Sequence, residues 1–189
     1  MLAATDMTRN DWIQTYTGRA YFPAAPRAED VDIRDIAHAL SMLCRYTGHV
    51  TRFYSVAEHS IHVSNLVPPE DALAGLLHDG TEAYCNDLAS PFKRHLPDYK
   101  AAEARNWLAI AEHFSLSPDL PQSVHDADYA MLFAEKAQLF QHPPPMDWAI
   151  QPRGAVPDVG TLGMVPMVAE YAFLRRYREL THGRYIKLA

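Results

Sequence analysis

Apolar positions along this chain recur mostly at helical spacing, and a single short stretch has the composition of strands. Ile36, Ala37, Leu40, Leu43 and Cys44 repeat at i, i+3 and i+4 behind Asp32-Ile33-Arg34-Asp35, which predicts a buried helix with acidic residues near its start. A second helix is predicted from about Val56 to Leu66, stopped by Pro68-Pro69. Those prolines, with Glu70 and Asp71, form the N-terminal signal of a third helix, whose apolar run to Leu77 ends at His78-Asp79. Tyr99 to Phe114 reads as a long amphipathic helix ended by Ser115 to Pro121. Gln122 or Ser123 opens the next, which carries Asp128 and lines its apolar side with Ala130, Leu132, Phe133, Ala137 and Leu139. A last helix is predicted over about 165–182. Gln14 to Pro23 holds β-branched and aromatic residues suited to a short ribbon, residues 1–12 read as a loose or helical start, and 142–163 is Pro/Gly-rich and predicts an irregular loop. The expectation is one all-α domain over 1–189, a compact helical bundle with its core at about 30–140 and a short β-ribbon near the N-terminus.

Composition narrows the class. With 189 residues, 48% hydrophobic and 21% charged, the chain can bury a substantial core without disulfides or structural metals. A net charge of −6 argues against a nucleic-acid-coating surface, so an anionic ligand must be held by local positive charge. Cys44 and Cys85 provide neither a zinc-knuckle spacing nor a disulfide framework. The apolar runs are too short for a bilayer and no signal peptide opens the chain, so no membrane association and a reducing cytoplasm are expected.

The chemistry concentrates in His78-Asp79, with His59 upstream and Asp128 downstream. Two imidazoles and two carboxylates suit a borderline-hard divalent cation and leave coordination positions open, as catalytic sites do. Glu82 lies at i+4 from His78 and i+3 from Asp79, so on a continuing helix it shares their face as an acid or base. A His-Asp pair alone is common by chance, and a lone His78 would be read as a hydrogen-bonded core histidine. Four candidate ligands on three apolar segments weaken that reading.

The segments around these residues resemble the HD-domain metal-dependent phosphohydrolases. The likeness is closest to the small stand-alone YfbR-like 5'-nucleotidases and the prophage-type YfdR-like HD proteins. It is carried by Cys44-Arg45-Tyr46-Thr47-Gly48-His49, by Phe53 to Ser60, by Leu76-Leu77-His78-Asp79-Gly80-Thr81-Glu82-Ala83-Tyr84, by Asp87 to Lys93 and by Ala127-Asp128, over roughly residues 14–140. The resemblance implies His59, His78, Asp79 and Asp128 as metal ligands. It makes Glu82 the group that orients or deprotonates the attacking water, and Asp87 a residue facing the sugar or assisting that water.

Arg45 is the phosphate-clamp candidate, because its planar fork binds two oxygens and stays charged; a surface ion pair with Asp35 or Glu58 is the alternative. Lys93 is a second positive contact or a solvated lysine, and His49 a substrate contact or a fold residue. His62, at i+3 from His59, can reach the same metal, but the family pattern does not use that position. His95, His113 and His125 do not reproduce the spacing of two-metal relatives, so one required divalent ion per subunit is expected, from Mn, Co, Fe, Zn, Ni or Mg, with a second as the alternative when phosphate binds. Asp126 should point away from Asp128. Tyr46, Trp148 and the Pro-rich loop are candidates to shape a base pocket. The implied activity is removal of the 5'-phosphate from deoxyribonucleoside monophosphates. The alternatives are a triphosphohydrolase releasing tripolyphosphate and a catalytically silent nucleotide-binding module. A homodimer or higher assembly is implied by analogy with the family.

Overall fold

A computed structural model describes residues 11–142, 144–146 and 148–181 of the chain. The expected start at 1–12 falls almost wholly outside the described residues, as does His182 at the end of the last predicted helix. The described residues are mostly helical, with one two-stranded antiparallel ribbon, β1 (Ile13–Gln14) and β2 (Ala20–Tyr21), in which Ile13 faces Tyr21. Helix α1 spans Ile33–Met42 and α2 spans Val56–Leu66. They are followed by α3 (Ala72–Leu77), α4 (Glu82–Cys85), α5 (Ser90–Lys93), α6 (Pro97–Phe114), α7 (Gln122–Leu139) and α8 (Pro166–Thr181). None is long and apolar enough to cross a membrane among the described residues.

The local chemistry explains the boundaries. The Asp32 carboxylate accepts the Arg34 N–H at 2.9 Å and the Ser55 hydroxyl accepts the Glu58 N–H at 3.1 Å, so α1 and α2 each start on a capping side chain. Cys44 lies beyond α1 and pairs with Ser55 in an antiparallel bridge, so the chain reverses between α1 and α2. The third helix differs from expectation: it ends at Leu77, and His78 to Thr81 form a tighter turn. There Gly80 N–H donates to Leu77 C=O at 2.8 Å and Glu82 N–H to Asp79 C=O at 3.0 Å, bonds to the third residue back that replace the α-helical pattern. Glu82 therefore opens a new one-turn helix rather than continuing the old one.

Helix α2 is the centre of the bundle, packed against α1, α3, α7 and α8. Ile36, Leu40, Val56, Leu76, Phe173 and Tyr177 are among the buried residues that join α1, α2, α3 and α8 in one core, while α7 packs on α2 and α3 through Val63, Ala74, Val124, Ala127 and Met131. Gly75 permits the closest approach: a Cβ there would stand 3.2 Å from Ser64 Cα on α2. The ribbon is tied down by Tyr21, whose ring stacks on Tyr84 with centroids 3.7 Å apart and whose hydroxyl donates to Asn106 at 2.7 Å.

Between α7 and α8 no helix or strand forms among the described residues, as the prolines and glycines predict. The end of this segment is held by Glu58 on α2, fully buried, which accepts Gly163 N–H at 2.8 Å and Met164 N–H at 2.7 Å. Glu58→Ala leaves two half-buried donors without their carboxylate and is expected to cost about 1–3 kcal/mol in urea unfolding, with faster proteolysis near Gly163. An unchanged unfolding midpoint would show that the segment is anchored elsewhere.

Candidate metal centre

Two helices and one turn supply the site. His59 sits mid-way along α2 and is fully buried; His78 and Asp79 follow α3; Asp128 comes from the second turn of α7. His59 Nε2 lies 3.3 Å from His78 Nε2, 3.1 Å from Asp128 Oδ1 and 3.6 Å from Asp79 Oδ2. Asp79 Oδ2 is 3.3 Å from His78 Nε2. His59, His78 and Asp128 thus bring one donor atom each within 4.8 Å of one another, a group able to hold a metal ion, and Asp79 adjoins it. The Asp128 side chain is 46% exposed, which opens this point to solvent.

The hydrogen bonds on the far sides of the rings fix what faces inward. His78 Nδ1 lies 2.9 Å from the Gly75 carbonyl and His59 Nδ1 lies 2.6 Å from Glu135 Oε1. A carbonyl only accepts and an ionised carboxylate only accepts, so both Nδ1 atoms carry the proton. His59 thereby directs Nε2 at His78, Asp79 and Asp128, and His78 directs its own at His59 and Asp79. Imidazole nitrogens and carboxylate oxygens converging in this way are able to hold a divalent metal ion.

Charges reinforce one another here. Burial opposes ionisation of Asp79, but His78, His59 and Arg45 hold its carboxyl well below the usual range. Asp128 is lowered against burial by the hydrogen bond and charge of His59. Glu135 falls to about 2, with His59 and Arg45 overcoming burial. Burial pushes Glu82 well above the ordinary carboxylate value, helped by the charges of Asp79 and Asp87, and burial likewise raises Asp87.

Arg45 reaches the cluster rather than the surface: its guanidinium lies 3.4 Å from Asp79 Oδ2 and 3.4 Å from Glu135 Oε2, and its buried Nε has no partner. The alternative partners are engaged elsewhere, Asp35 by the Thr17 N–H at 2.6 Å and Glu58 by the segment before α8. Glu82 is buried with one oxygen unpartnered, and Lys93 is held by Glu103 at 2.5 Å instead of being solvated. His49 is exposed, with its N–H bonded to Tyr46 C=O, and is not drawn into the cluster. His62 is 4.0 Å from Glu58, His95 and His125 are exposed, and His113 Nδ1 bonds Ala28 C=O at 2.8 Å, so none joins the group. Asp126 is exposed and accepts from Gln122, as its helical offset from Asp128 requires.

Two features escaped the sequence reading. Glu135 is fully buried on α7, whereas Ala137, expected on the apolar side, is exposed. The signal was the seven-residue offset from Asp128, which places both on one helix face. The other is a left-handed run at Tyr46, Thr47 and Gly48 (φ 57°, 55° and 76°) that follows Arg45. Phe140 packs edge-on with both Tyr46 and Trp148, with ring centroids 5.2 and 5.5 Å apart, which links the three rings in series.

Fold and site together define an all-α protein with a partly buried His/Asp cluster able to hold a metal ion. No family model matches the chain. The chain is 36% identical over 177 residues to the uncharacterized protein YfdR of Escherichia coli (strain K12), covering 92% of this chain and 97% of that protein. It belongs to the YfdR family. An uncharacterized protein of Rhodobacter capsulatus is 32% identical over 126 residues, covering 61% of this chain and 64% of its own.

The buried charges set a pH dependence for the metal-free protein. Against burial and the Arg45 charge, Glu135 and Asp128 raise His59 from 6.5 to about 9, so its contribution is complete below about 6.5 and lost as pH rises through about 9. Glu135 is lowered from 4.5 to about 2, so its contribution is present above 4.5 and lost as pH falls through 2. Tm of chelator-treated protein should fall between pH 7 and 10, and added Mn²⁺ should flatten that fall. A flat metal-free profile over this range would contradict the charge assignment.

Proposed function

We propose that this protein is a metal-dependent phosphohydrolase of the HD type that removes the 5'-phosphate from nucleoside monophosphates, with deoxyribonucleotides as the preferred class. The observation that carries this reading is the meeting of a cation-demanding His/Asp cluster with a buried arginine and an unpartnered buried carboxylate. The resemblance of the Arg45–His49, Phe53–Ser60 and Leu76–Tyr84 segments to that class supports it.

His59, His78, Asp79 and Asp128 would hold the ion, with Mn, Co, Zn, Fe, Ni or Mg as candidates. When bound, a divalent cation supplies Lewis acidity, which acidifies water and offsets phosphate charge. Arg45 binds the phosphate: its Nε is free, its two ion pairs at 3.4 Å are loose, and the guanidinium fork matches two phosphate oxygens. Glu82 accepts the proton of the attacking water, because burial beside Asp79 makes it a stronger base than an exposed carboxylate. Asp87, close enough for its charge to raise Glu82, faces the sugar side or assists that water. The P–O bond to the nucleoside breaks, the 5'-oxygen takes up a proton, and orthophosphate and nucleoside leave. The Tyr46, Phe140 and Trp148 rings line the direction in which a base would extend.

A triphosphate substrate would need further cations for its β,γ-tail. Lys93 is neutralised by Glu103, and Arg94 and Lys100 are exposed, which favours the monophosphate.

Product analysis of Mn²⁺-loaded protein with deoxynucleoside mono- and triphosphates tests this directly. Orthophosphate from the monophosphates is expected, and tripolyphosphate from a triphosphate would reassign the substrate. Metal-bound protein that turns over no nucleotide would instead mark a binding module. Asp79→Ala should lose both bound metal and turnover, whereas Glu82→Ala should keep metal and lose at least about 100-fold in kcat. Full activity in either variant would remove that residue's role.

A further inference from the structure

Glu135 lies on α7 seven residues beyond Asp128, two turns along the same face, and is fully buried. One of its oxygens, Oε1, accepts from His59 Nδ1 at 2.6 Å and from the Tyr54 hydroxyl at 2.9 Å. The other, Oε2, accepts from the Tyr46 hydroxyl and faces Arg45 Nη2 at 3.4 Å. A buried carboxylate is expensive to desolvate, and an apolar side chain of similar volume fills such a space more cheaply. Packing alone also gives no reason for its donors to include both a candidate metal ligand and the candidate phosphate clamp.

The geometry has two consequences. Donation from Nδ1 keeps the ring proton on that side, so the Nε2 lone pair faces His78 and Asp128; a flipped His59 ring would forfeit the bond and turn a C–H toward the cluster. The opposite oxygen holds the hydroxyl of Tyr46 within the left-handed turn and draws Arg45 toward the same point. One side chain thereby sets the spacing between the ligand side and the phosphate side of the site.

We propose that Glu135 is the positioning residue of this centre, holding His59 in the tautomer and orientation that aim Nε2 at the cation while seating Arg45 and Tyr46 on its other oxygen. This inference rests on the metal-centre reading above and concerns binding, not turnover.

The test is Mn²⁺ affinity, read by the electron paramagnetic resonance of free Mn²⁺, on parent, Glu135→Gln and Tyr54→Phe proteins shown by circular dichroism to be folded. Glu135→Gln should bind Mn²⁺ about 10–100-fold more weakly than the parent. Tyr54→Phe removes a different donor from the same carboxylate and should retain most of the parent's affinity. Parent-like affinity in Glu135→Gln, or an equal loss in Tyr54→Phe, would overturn the proposal and leave the metal centre standing. Should Glu135→Gln fail to fold, the ¹⁵N histidine spectrum of the Zn²⁺-loaded parent decides. A protonated Nδ1 and metal-bound Nε2 on His59 support the assignment, and the reverse arrangement overturns it. A parent protein that retains neither Mn²⁺ nor Zn²⁺ would overturn the metal-centre reading itself, and this inference with it.

Discussion

His59 Nε2 stands 3.1–3.6 Å from His78 Nε2, Asp79 Oδ2 and Asp128 Oδ1, and Asp79 Oδ2 lies 3.3 Å from His78 Nε2, so acceptors crowd this point once each Nδ1 is committed outward. That convergence is unstable unless positive charge sits among them. In the metal-free protein a proton on His59 supplies it, which is why burial fails to keep that ring neutral. A dication satisfies the same demand more fully, because it draws on all the lone pairs at once where a proton bridges only two. The neighbouring features follow from keeping the acceptors in place.

The bundle does this by packing α3 and α7 against α2, with α3 in close approach at Gly75. Gly75 removes the side chain that would separate α3 from α2, and its carbonyl receives His78 Nδ1, so one residue both sets the helix spacing and orients the ligand. The chain then breaks from helix at His78–Thr81, so Asp79 and Glu82 are set by a turn rather than by helical phase. On the other flank, Tyr46 and Thr47 adopt left-handed backbone at about 1–2 kcal/mol each. The Tyr46 hydroxyl on Glu135 and the Arg45 N–H on Tyr54 C=O hold that turn. Strain of this kind persists only where surrounding contacts over-determine it, and here those contacts are the site's own.

What was legible in the sequence was what depends on local pattern. Apolar periodicity and prolines marked α2 at Val56–Leu66 and the opening of α7 at Gln122, and three of the four candidate ligands, His59, His78 and Asp128, bring donor atoms within 4.8 Å of one another, with Asp79 adjoining them. The helix expected to continue through His78-Asp79 does not, because Gly80 sits in the tight turn and bonds to the third residue back form there. Glu135 was invisible to a reading that assigned the apolar face of α7 by residue type. A carboxylate two turns from Asp128 looks solvated until His59, Tyr54 and Tyr46 are known to converge on it. Arg45 was located but its partners were not, since Asp79 and Glu135 lie 34 and 90 positions away and only the tertiary fold joins them.

Charge completes the argument for how such a site would treat an anion. Asp79, Asp128 and Glu135 are all held ionised, while Arg45 is the buried guanidinium among them. Lys93 is already matched by Glu103, and the whole chain carries −6. A phosphate approaching this cluster before the cation meets three carboxylates and one arginine, and low local polarity strengthens the repulsion. A divalent ion held by these residues would offset the carboxylates and leave the Arg45 charge to a new anion. On the proposed reading, metal and phosphate therefore bind in that order, because the residues that hold the one are those that would exclude the other.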